Sequence, residues 1–274
     1  MNGHLGRTLW GFWAAIILCW FPLVDDGRPV RAASIYESSA SGSLAIAGFR
    51  VGSAPLTARP SNLIISNAGT GVLSDLTDVT VGATADSFGQ ANLAAANANS
   101  LELGEGIQQG ANAEGTAAFS GAIATSFAEF LTNGGIRLVN ESVATTYTVD
   151  LELQYSYSAS ATVAAPSAES SEAGISIALI LLSNANDPEL SLFEKTDHLS
   201  GAIGPVAQTY ALSIELTPGA TESVSLFVDA FGVGSSAIPE PSTSWWCLLV
   251  AYSLVTRRAR PRGTEIMAVR KSPR

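Results

Sequence analysis

Alternation of apolar and polar residues is the clearest pattern in the middle of this chain. In the stretch TTYTVDLELQYSYSASATV every second residue from 147 to 157 is tyrosine, valine or leucine, and the residues between them are polar. A period of two is the repeat of a β-strand, whose side chains point alternately to its two faces. The pattern predicts a half-buried strand that continues towards Val163, with its tyrosine, valine and leucine side chains in a core.

Two further patterns predict strands in the second half of the chain. The run GISIALILLSN is apolar on both faces, which is typical of a strand in the centre of a sheet, although a buried helix remains an alternative for so short a run. Residues 210–216 and 224–230 alternate on either side of Pro218 and Gly219. Because proline presets one turn dihedral and glycine accepts the next, we expect a β-hairpin there.

The first half of the chain is interrupted more often by turn-forming residues. SLAIAGFRV, NLIIS and VTVGA have the character of short strands separated by Gly, Pro, Asn and Ser. Residues 91–125 are rich in alanine, but Gly104, Gly106, Gly110 and Gly115 interrupt the stretch and disfavour a helix, so we predict mostly strand. Several strands with turn punctuation and no βαβ alternation predict one all-β domain, an antiparallel β-sandwich, over residues 33–238.

Charge is distributed unevenly along the chain. Between residues 33 and 238 there are 20 acidic residues against four basic ones, a balance of −16; the basic residues are Arg50, Arg59, Arg137 and Lys195. Neutralising the phosphates of nucleic acid needs clustered lysine and arginine, so this composition argues against a nucleic-acid partner. An acidic, solvated surface is the expectation, and a cation-binding surface is the alternative.

The N-terminal segment, residues 1–32, has the organisation of a secretory signal peptide. Arg7 precedes a 16-residue apolar run at 9–24, and small residues at Ala32 and Ala33 fit a cleavage site. An uncleaved anchor helix is the alternative, although 16 residues would span only about 24 Å of a core of about 30 Å. The two cysteines, Cys19 and Cys247, lie outside residues 33–238, so that region can form neither a disulfide nor a thiolate metal site.

The C-terminal segment, residues 239–262, has three parts in a fixed order. Pro239, Glu240 and Pro241 predict an extended, exposed segment, because proline locks the backbone and lacks an N–H donor. An apolar run at 245–255 follows, with the membrane-segment residues Trp245, Trp246, Cys247, Leu248, Leu249, Val250, Leu254 and Val255. A basic cluster comes next and consists of Arg257, Arg258, Arg260 and Arg262. Arginines at one end of an apolar segment favour a cytoplasmic position for that end. Residues 263–274 form a further basic tail.

This tripartite segment resembles the PEP-CTERM sorting signal of bacterial exosortase substrates. Ser242 and Thr243 after the Pro-Glu-Pro match it as well, and LTPGATESVSLFVDAFG resembles the last strands of many proteins that carry the signal. The resemblance implies export by the Sec machinery, transient membrane retention, and processing near Pro-Glu-Pro by an exosortase that supplies the catalytic residues. It further implies delivery to the cell surface or to the extracellular matrix of a biofilm, with exopolysaccharide as a candidate partner. A fortuitous apolar segment on a secreted protein is the alternative.

Few residues of the body suggest catalysis. His198 stands beside Asp197 and close to Ser200, but adjacent residues cannot adopt the geometry of a catalytic triad, so a surface turn is the better interpretation. Asn140, Glu141 and Ser142 match the short glycosylation sequon.

Two oxygen-rich stretches are weak candidates for a calcium site. One contains Asp75 and Asp78, and the other contains Asn184, Asn186, Asp187 and Glu189. Turn formation explains the second stretch equally well. We predict no cofactor, with calcium as the alternative.

The sequence as a whole predicts a non-catalytic exported protein of the cell surface or matrix, with a structural or adhesive role. A secreted hydrolase that uses scattered carboxylates is one alternative, and a calcium-binding or glycan-binding module is another. The glycan alternative lacks tryptophan platforms, because all five tryptophans lie in the two terminal apolar segments.

Overall fold

The computed structural model describes residues 33–93, 100–118, 124–164, 169–184 and 188–236. All of them belong to the first of the two units into which the chain divides, residues 1–237, and the second unit comprises residues 238–274. The described strands are β1 Ala33–Val51, β2 Ala54–Leu56, β3 Leu63–Val79, β4 Ala83–Leu93, β5 Gly106–Ala118, β6 Ala124–Asn140, β7 Tyr147–Val163, β8 Glu169–Leu181, β9 Leu190–Asp197, β10 Ile203–Leu216 and β11 Thr221–Ser236. One 3₁₀ turn, Leu182–Asn184, follows β8.

The strands form two antiparallel sheets. Sheet A has the order β10-β7-β1-β5-β4, with β2 paired to the end of β1, and sheet B has the order β3-β6-β11-β8-β9. The prediction of an all-β antiparallel sandwich is confirmed. Within the described ranges, no helix has the length and apolar character needed to cross a membrane.

The core lies between the inner faces of the two sheets. β7 shows why the sequence pattern was informative, because six alternate residues from 147 to 157 are buried in a single hydrophobic cluster with residues of both sheets. Sheet B contributes the inward side chains of β8 and β11, among them Ile175, Ile177, Val224, Leu226 and Val228. The predicted strand in β7, its extension to Val163 and its buried face are confirmed.

Tyr36 shows how closely the two sheets pack. Its side chain is 1% exposed, and its hydroxyl lies 3.1 Å from the Ser126 hydroxyl of the opposite sheet. A Cβ atom added at Gly115 or at Gly232 would overlap the Tyr36 side chain. Burial raises the pKa of the Tyr36 phenol, and the hydrogen bond to Ser126 opposes this effect. Glycine at these two positions therefore makes the space that the ring occupies.

Other strand predictions had mixed outcomes. GISIALILLSN is a strand, β8, flanked by β11 and β9, so the helix alternative is wrong. The alanine-rich stretch is mostly strand where it is described: it contributes the end of β4, the whole of β5 and the start of β6, while residues 100–105 are loop and turn. The prediction of a strand at VTVGA is wrong, because Val81 and Gly82 form the turn between β3 and β4, where Gly82 has a φ of 86°. Only glycine adopts such a φ readily.

The predicted hairpin across Pro218 and Gly219 is also wrong. The tight turn exists, with Gly219 at a φ of 77° and a hydrogen bond of 3.0 Å from the Ala220 N–H to the Thr217 carbonyl. However, β10 pairs with β7 in sheet A, whereas β11 pairs with β6 and β8 in sheet B. The turn therefore connects the two sheets across an end of the sandwich and does not join two paired strands.

Candidate functional site

The predicted sorting and cleavage motifs lie largely outside the described residues. This applies to Ala32, to Pro239, Glu240 and Pro241, to the apolar run at 245–255 and to the arginine cluster at 257–262. Ala33 is described and begins β1, where its carbonyl accepts a hydrogen bond of 3.1 Å from the Ala164 N–H.

The histidine of the body lies in a turn after β9. The backbone N–H of His198 donates to the Ser171 carbonyl at 3.1 Å, and Asp197 Oδ1 accepts the N–H groups of Leu199 and Ser200 at 2.9 Å and 2.7 Å. Hydrogen bonds from the Ser200 side chain, and then from the two backbone groups, lower the pKa of the Asp197 carboxyl. Asp197 therefore closes a surface turn, as predicted.

The two weak calcium candidates do not come together as sites in the described residues. Asp75 accepts a hydrogen bond of 2.6 Å from Ser87, and Asp78 is exposed further along β3. Of the second candidate, Asn186 and Asp187 lie outside the described residues, Asn184 is described only as part of the 3₁₀ turn, and the Glu189 N–H donates to Leu179. Within the described ranges, no group of three His, Cys, Asp or Glu side chains could hold a metal ion.

Asn140 proves to be a structural residue. Its side chain is fully buried, and Nδ2 donates to the carbonyls of Thr145, Leu216 and Thr217 at 2.8–3.0 Å. Its Oδ1 accepts the Ser142 N–H at 2.9 Å. An amide nitrogen with these partners cannot carry a glycan in the folded protein, so the sequon interpretation is wrong.

A band of uncharged polar side chains crosses the outer face of sheet A. Strand register aligns Gln90, Ser41 and Ser156 in one row, and Gln108, Ser43, Gln154 and Thr209 in the next. We call these seven residues the amide face. They line an open depression of about 600 Å³, which is within the usual range of about 300–1,000 Å³ for small-molecule sites.

The seven side chains of the amide face offer hydrogen bonds and carry no charge themselves, and the Glu152 carboxylate borders them on β7. Gln154 Nε2 donates to Glu152 at 2.7 Å and the Ser41 and Ser156 hydroxyls are 2.9 Å apart, while Gln90 and Gln108 are exposed. Neighbouring strands are about 4.8 Å apart. An extended ligand lying across the strands would therefore meet a polar side chain at nearly every strand. Amides and hydroxyls both donate and accept, which suits a hydroxyl-rich, neutral ligand.

Three carboxylates form a second feature of the same sheet, the acidic row. Register pairs Glu37 with Glu114 and Glu114 with Asp86, so the three residues stand side by side on β1, β5 and β4. They border a depression of about 320 Å³. Like charges placed directly opposite each other on neighbouring strands are destabilising. The acidic row therefore lowers the stability of the sheet, and a contribution to stability does not explain it.

The outer face of sheet B has a different chemistry. Alternate residues of β6, β9 and β11 place large apolar side chains on this face, around Asp229. We call these apolar residues the phenylalanine face: Phe127, Leu131, Phe193, Phe227, Phe231 and Val233. The rings of Phe193 and Phe231 stack with centroids 5.9 Å apart, and Phe193 is 62% exposed. A Cβ atom added at Gly174 would overlap the Phe231 ring, which therefore lies directly over that glycine.

Neither outer face was identified from the sequence. The signal was present in part, because the positions between the buried residues of β11 are aromatic in LFVDAFG, where an exposed strand face would ordinarily be polar. Strand order decides which of these residues become neighbours, and strand order is not readable from periodicity. Comparisons with models of protein families, with curated proteins and with solved structures found no match for this chain.

Proposed function

We propose that this chain is a non-catalytic, exported protein of the cell surface or extracellular matrix, and that its sandwich is an adhesive module. In this proposal residues 1–32 are a signal peptide, and residues 239–262 are a PEP-CTERM-like sorting segment with a short apolar helix. An exosortase processes the chain near Pro239, Glu240 and Pro241. Support for the two terminal segments comes from their sequence patterns, and the described strands of the sandwich lie between them.

The amide face is the observation that carries the adhesive role. Its seven amide and hydroxyl side chains are uncharged, although the body is otherwise strongly acidic, and they line a depression of ligand size. Neutral polysaccharide is the ligand class that this chemistry fits best, because each sugar unit presents several hydroxyls. Anionic polysaccharide fits less well, because the body would repel it.

The sorting part of the proposal is tested in the native host. Pro239→Ala, Glu240→Ala and Pro241→Ala together remove the rigid segment, and we expect a longer, membrane-retained form to accumulate. Pro273→Ala, outside the three-part segment, is the control and should be processed normally. Wild-type processing and delivery of the triple variant would refute the exosortase proposal.

The adhesive part is tested separately by affinity electrophoresis through gels that contain neutral or acidic polysaccharides. Retardation should be selective for a neutral polysaccharide, and Gln108→Ala with Gln154→Ala should abolish it, because both side chains are exposed and their loss leaves the core intact. Asn133→Ala, on the outer face of sheet B, is the matched control. Equal retardation of the double glutamine variant and of Asn133→Ala would show that the amide face is not the binding site. No retardation of the wild type by any polysaccharide would refute the adhesive role.

The acidic row favours one alternative function, a secreted hydrolase that uses paired carboxylates as acid and base. Its test is the release of reducing ends from a polysaccharide panel by the wild-type protein and by Glu114→Gln. Release that disappears in this variant would replace the adhesive proposal. A calcium-dependent rise in melting temperature would instead favour the calcium-binding module.

A further inference from the structure

Asp229 occupies an unusual position in the phenylalanine face. It lies on β11 between Phe227 and Phe231 of the same strand face, and register places it beside Leu131 of β6 and Ser176 of β8. Its Oδ1 atom is buried and has no hydrogen-bond partner. A buried carboxylate oxygen without a partner is costly in a finished structure.

The basic side chains of the described body do not supply that partner. Arg50 binds Asp150, Arg59 binds Glu102, and Lys195 binds Glu172 at 2.6 Å. The fourth basic residue, Arg137 of β6, pairs with Ser223 of β11. Ser223 is six residues before Asp229 on β11, so Arg137 lies well away from the carboxylate. The charged residue nearest in register to Asp229 is Glu129, which pairs with Phe231 and adds a second negative charge. Lys195 lies on the same face, next after Phe193 in the alternation of β9, but its charge is paired with that of Glu172. The charge left unpaired beside the aromatic rings, that of Asp229 and Glu129, is therefore negative.

We propose that the phenylalanine face is a docking surface for arginine side chains of a basic polypeptide partner. A guanidinium group stacks on the exposed Phe193 ring of the Phe193–Phe231 pair and donates hydrogen bonds to the carboxylate of Asp229. Arginine fits better than lysine, because its planar group both stacks on aromatic faces and donates in a fork. This site lies on the opposite sheet from the amide face and does not depend on it.

Charge complementarity decides between this occupant and a second copy of the chain. The body between residues 33 and 238 carries a balance of −16, so face-to-face pairing of two copies would bring Asp229 and Glu129 against the same charges in the partner. A basic partner replaces that repulsion with attraction. It also brings hydrogen-bond donors to the Asp229 carboxylate, in addition to the backbone N–H of Ala230.

The test uses the full-length chain in a mild non-ionic detergent and a fluorescein-labelled peptide of alternating glycine and arginine. Fluorescence anisotropy at physiological ionic strength should show saturable binding. The same peptide with citrulline in place of arginine has the shape but not the charge, and should not bind. The lysine peptide should bind several-fold more weakly than the arginine peptide.

Variants locate the binding on the molecule. Asp229→Asn should weaken binding of the arginine peptide by roughly tenfold, because it removes the negative charge that the guanidinium binds. Phe193→Ser should weaken binding by several-fold, because it removes the ring on which the guanidinium stacks. Asp86→Asn removes the same charge from the outer face of sheet A and is the matched control, with an expected change below about twofold.

Three outcomes would overturn the proposal. Equal weakening by Asp229→Asn and Asp86→Asn would show only a general attraction to an acidic protein, and binding of the citrulline peptide would show that charge is not recognised. Sedimentation velocity that shows a dimer abolished by Phe193→Ser, without peptide binding, would assign the face to a second copy of the chain. Circular dichroism melting of each variant ensures that a loss of binding is not a loss of fold.

Discussion

Asp229 shows how neighbouring side chains change the chemistry of one residue. Its position in the alternation of β11 is an outward one, which would ordinarily be solvated, but its Oδ1 atom is buried. Desolvation, followed by repulsion from Glu129, raises the pKa of this carboxyl to about 6. Ionisation of Asp229 therefore opposes folding at neutral pH.

This pKa gives a stability prediction with a defined sign. The folded value of about 6 exceeds the ordinary value of 3.8, so between these pH values the folded carboxyl holds a proton that the unfolded chain has released. Stability should fall as the pH rises through this range. Asp229→Asn removes the effect and should raise the free energy of unfolding at neutral pH by about 1 kcal/mol, since solvent screens part of the cost.

Urea unfolding of the wild type and of Asp229→Asn at about pH 7 and about pH 5 measures this difference. The gap between the two proteins should be larger at the higher pH. A gap that does not depend on pH, or a variant that is less stable at neutral pH, would contradict the assignment of the raised pKa.

Asn140 marks the limit of what single residues reveal in a sequence. Its local sequence matched a surface glycosylation signal, yet its amide holds the turn at Leu216 and Thr217, which lies 76 and 77 positions further along the chain. No local pattern encodes that contact. The buried face of β7, by contrast, was predicted residue by residue, because alternation depends only on neighbours within one strand.

At the scale of elements, the sequence predicted most of the described strands but not all of their partners. The turn predicted at Pro218 and Gly219 is present, but the hairpin is not. β10 and β11 each present an apolar face to the same core from different sheets. Two strands in opposite sheets can satisfy that pattern as well as two paired strands can. Deciding between them requires the long-range partners, here β7 for one strand and β6 with β8 for the other.

Close packing between elements predicts a large effect of a small substitution. Gly232→Ala would place a Cβ atom in the Tyr36 ring, which is held between the two sheets, so we expect a loss of about 2 kcal/mol or more in the free energy of unfolding. Gly204→Ala on β10 is the control, because an added Cβ there has no atom within 4 Å. Thermal melting and urea unfolding of both variants provide the comparison, and equal stability of the two would mean that the Tyr36 packing is not as described.

At the scale of the whole molecule, the two outer faces of the sandwich differ in chemistry. Sheet A presents the amide face and the acidic row, whereas sheet B presents the phenylalanine face around Asp229. A sandwich has two outer surfaces on opposite sides of one core, so the two proposed ligands would bind without competing. Such a molecule could bridge a neutral polymer and a basic protein, as a matrix component would.

The ends of the chain allow a test of processing that needs no antibody or tag. Every methionine, cysteine and tryptophan lies outside residues 33–238: Met1, Trp10, Trp13, Cys19, Trp20, Trp245, Trp246, Cys247 and Met267. If the proposed signal peptide is removed and the tail is cut near Pro239, Glu240 and Pro241, the released protein contains none of these three residue types. It should show tyrosine but no tryptophan emission, take up no thiol label, and keep its stability in reductant.

A form that keeps its C-terminal segment would retain Trp245, Trp246 and Cys247, so the emission spectrum separates processing from anchoring alone. The unprocessed full-length chain is the control, because it contains all five tryptophans and both cysteines. The amide face and the phenylalanine face both lie within residues 33–238, so the processed form should bind the same polysaccharide and arginine peptide as the full-length chain. Tryptophan emission from homogeneous protein released by native cells would contradict complete processing, whereas loss of binding on release would show that the ends contribute to the ligand sites.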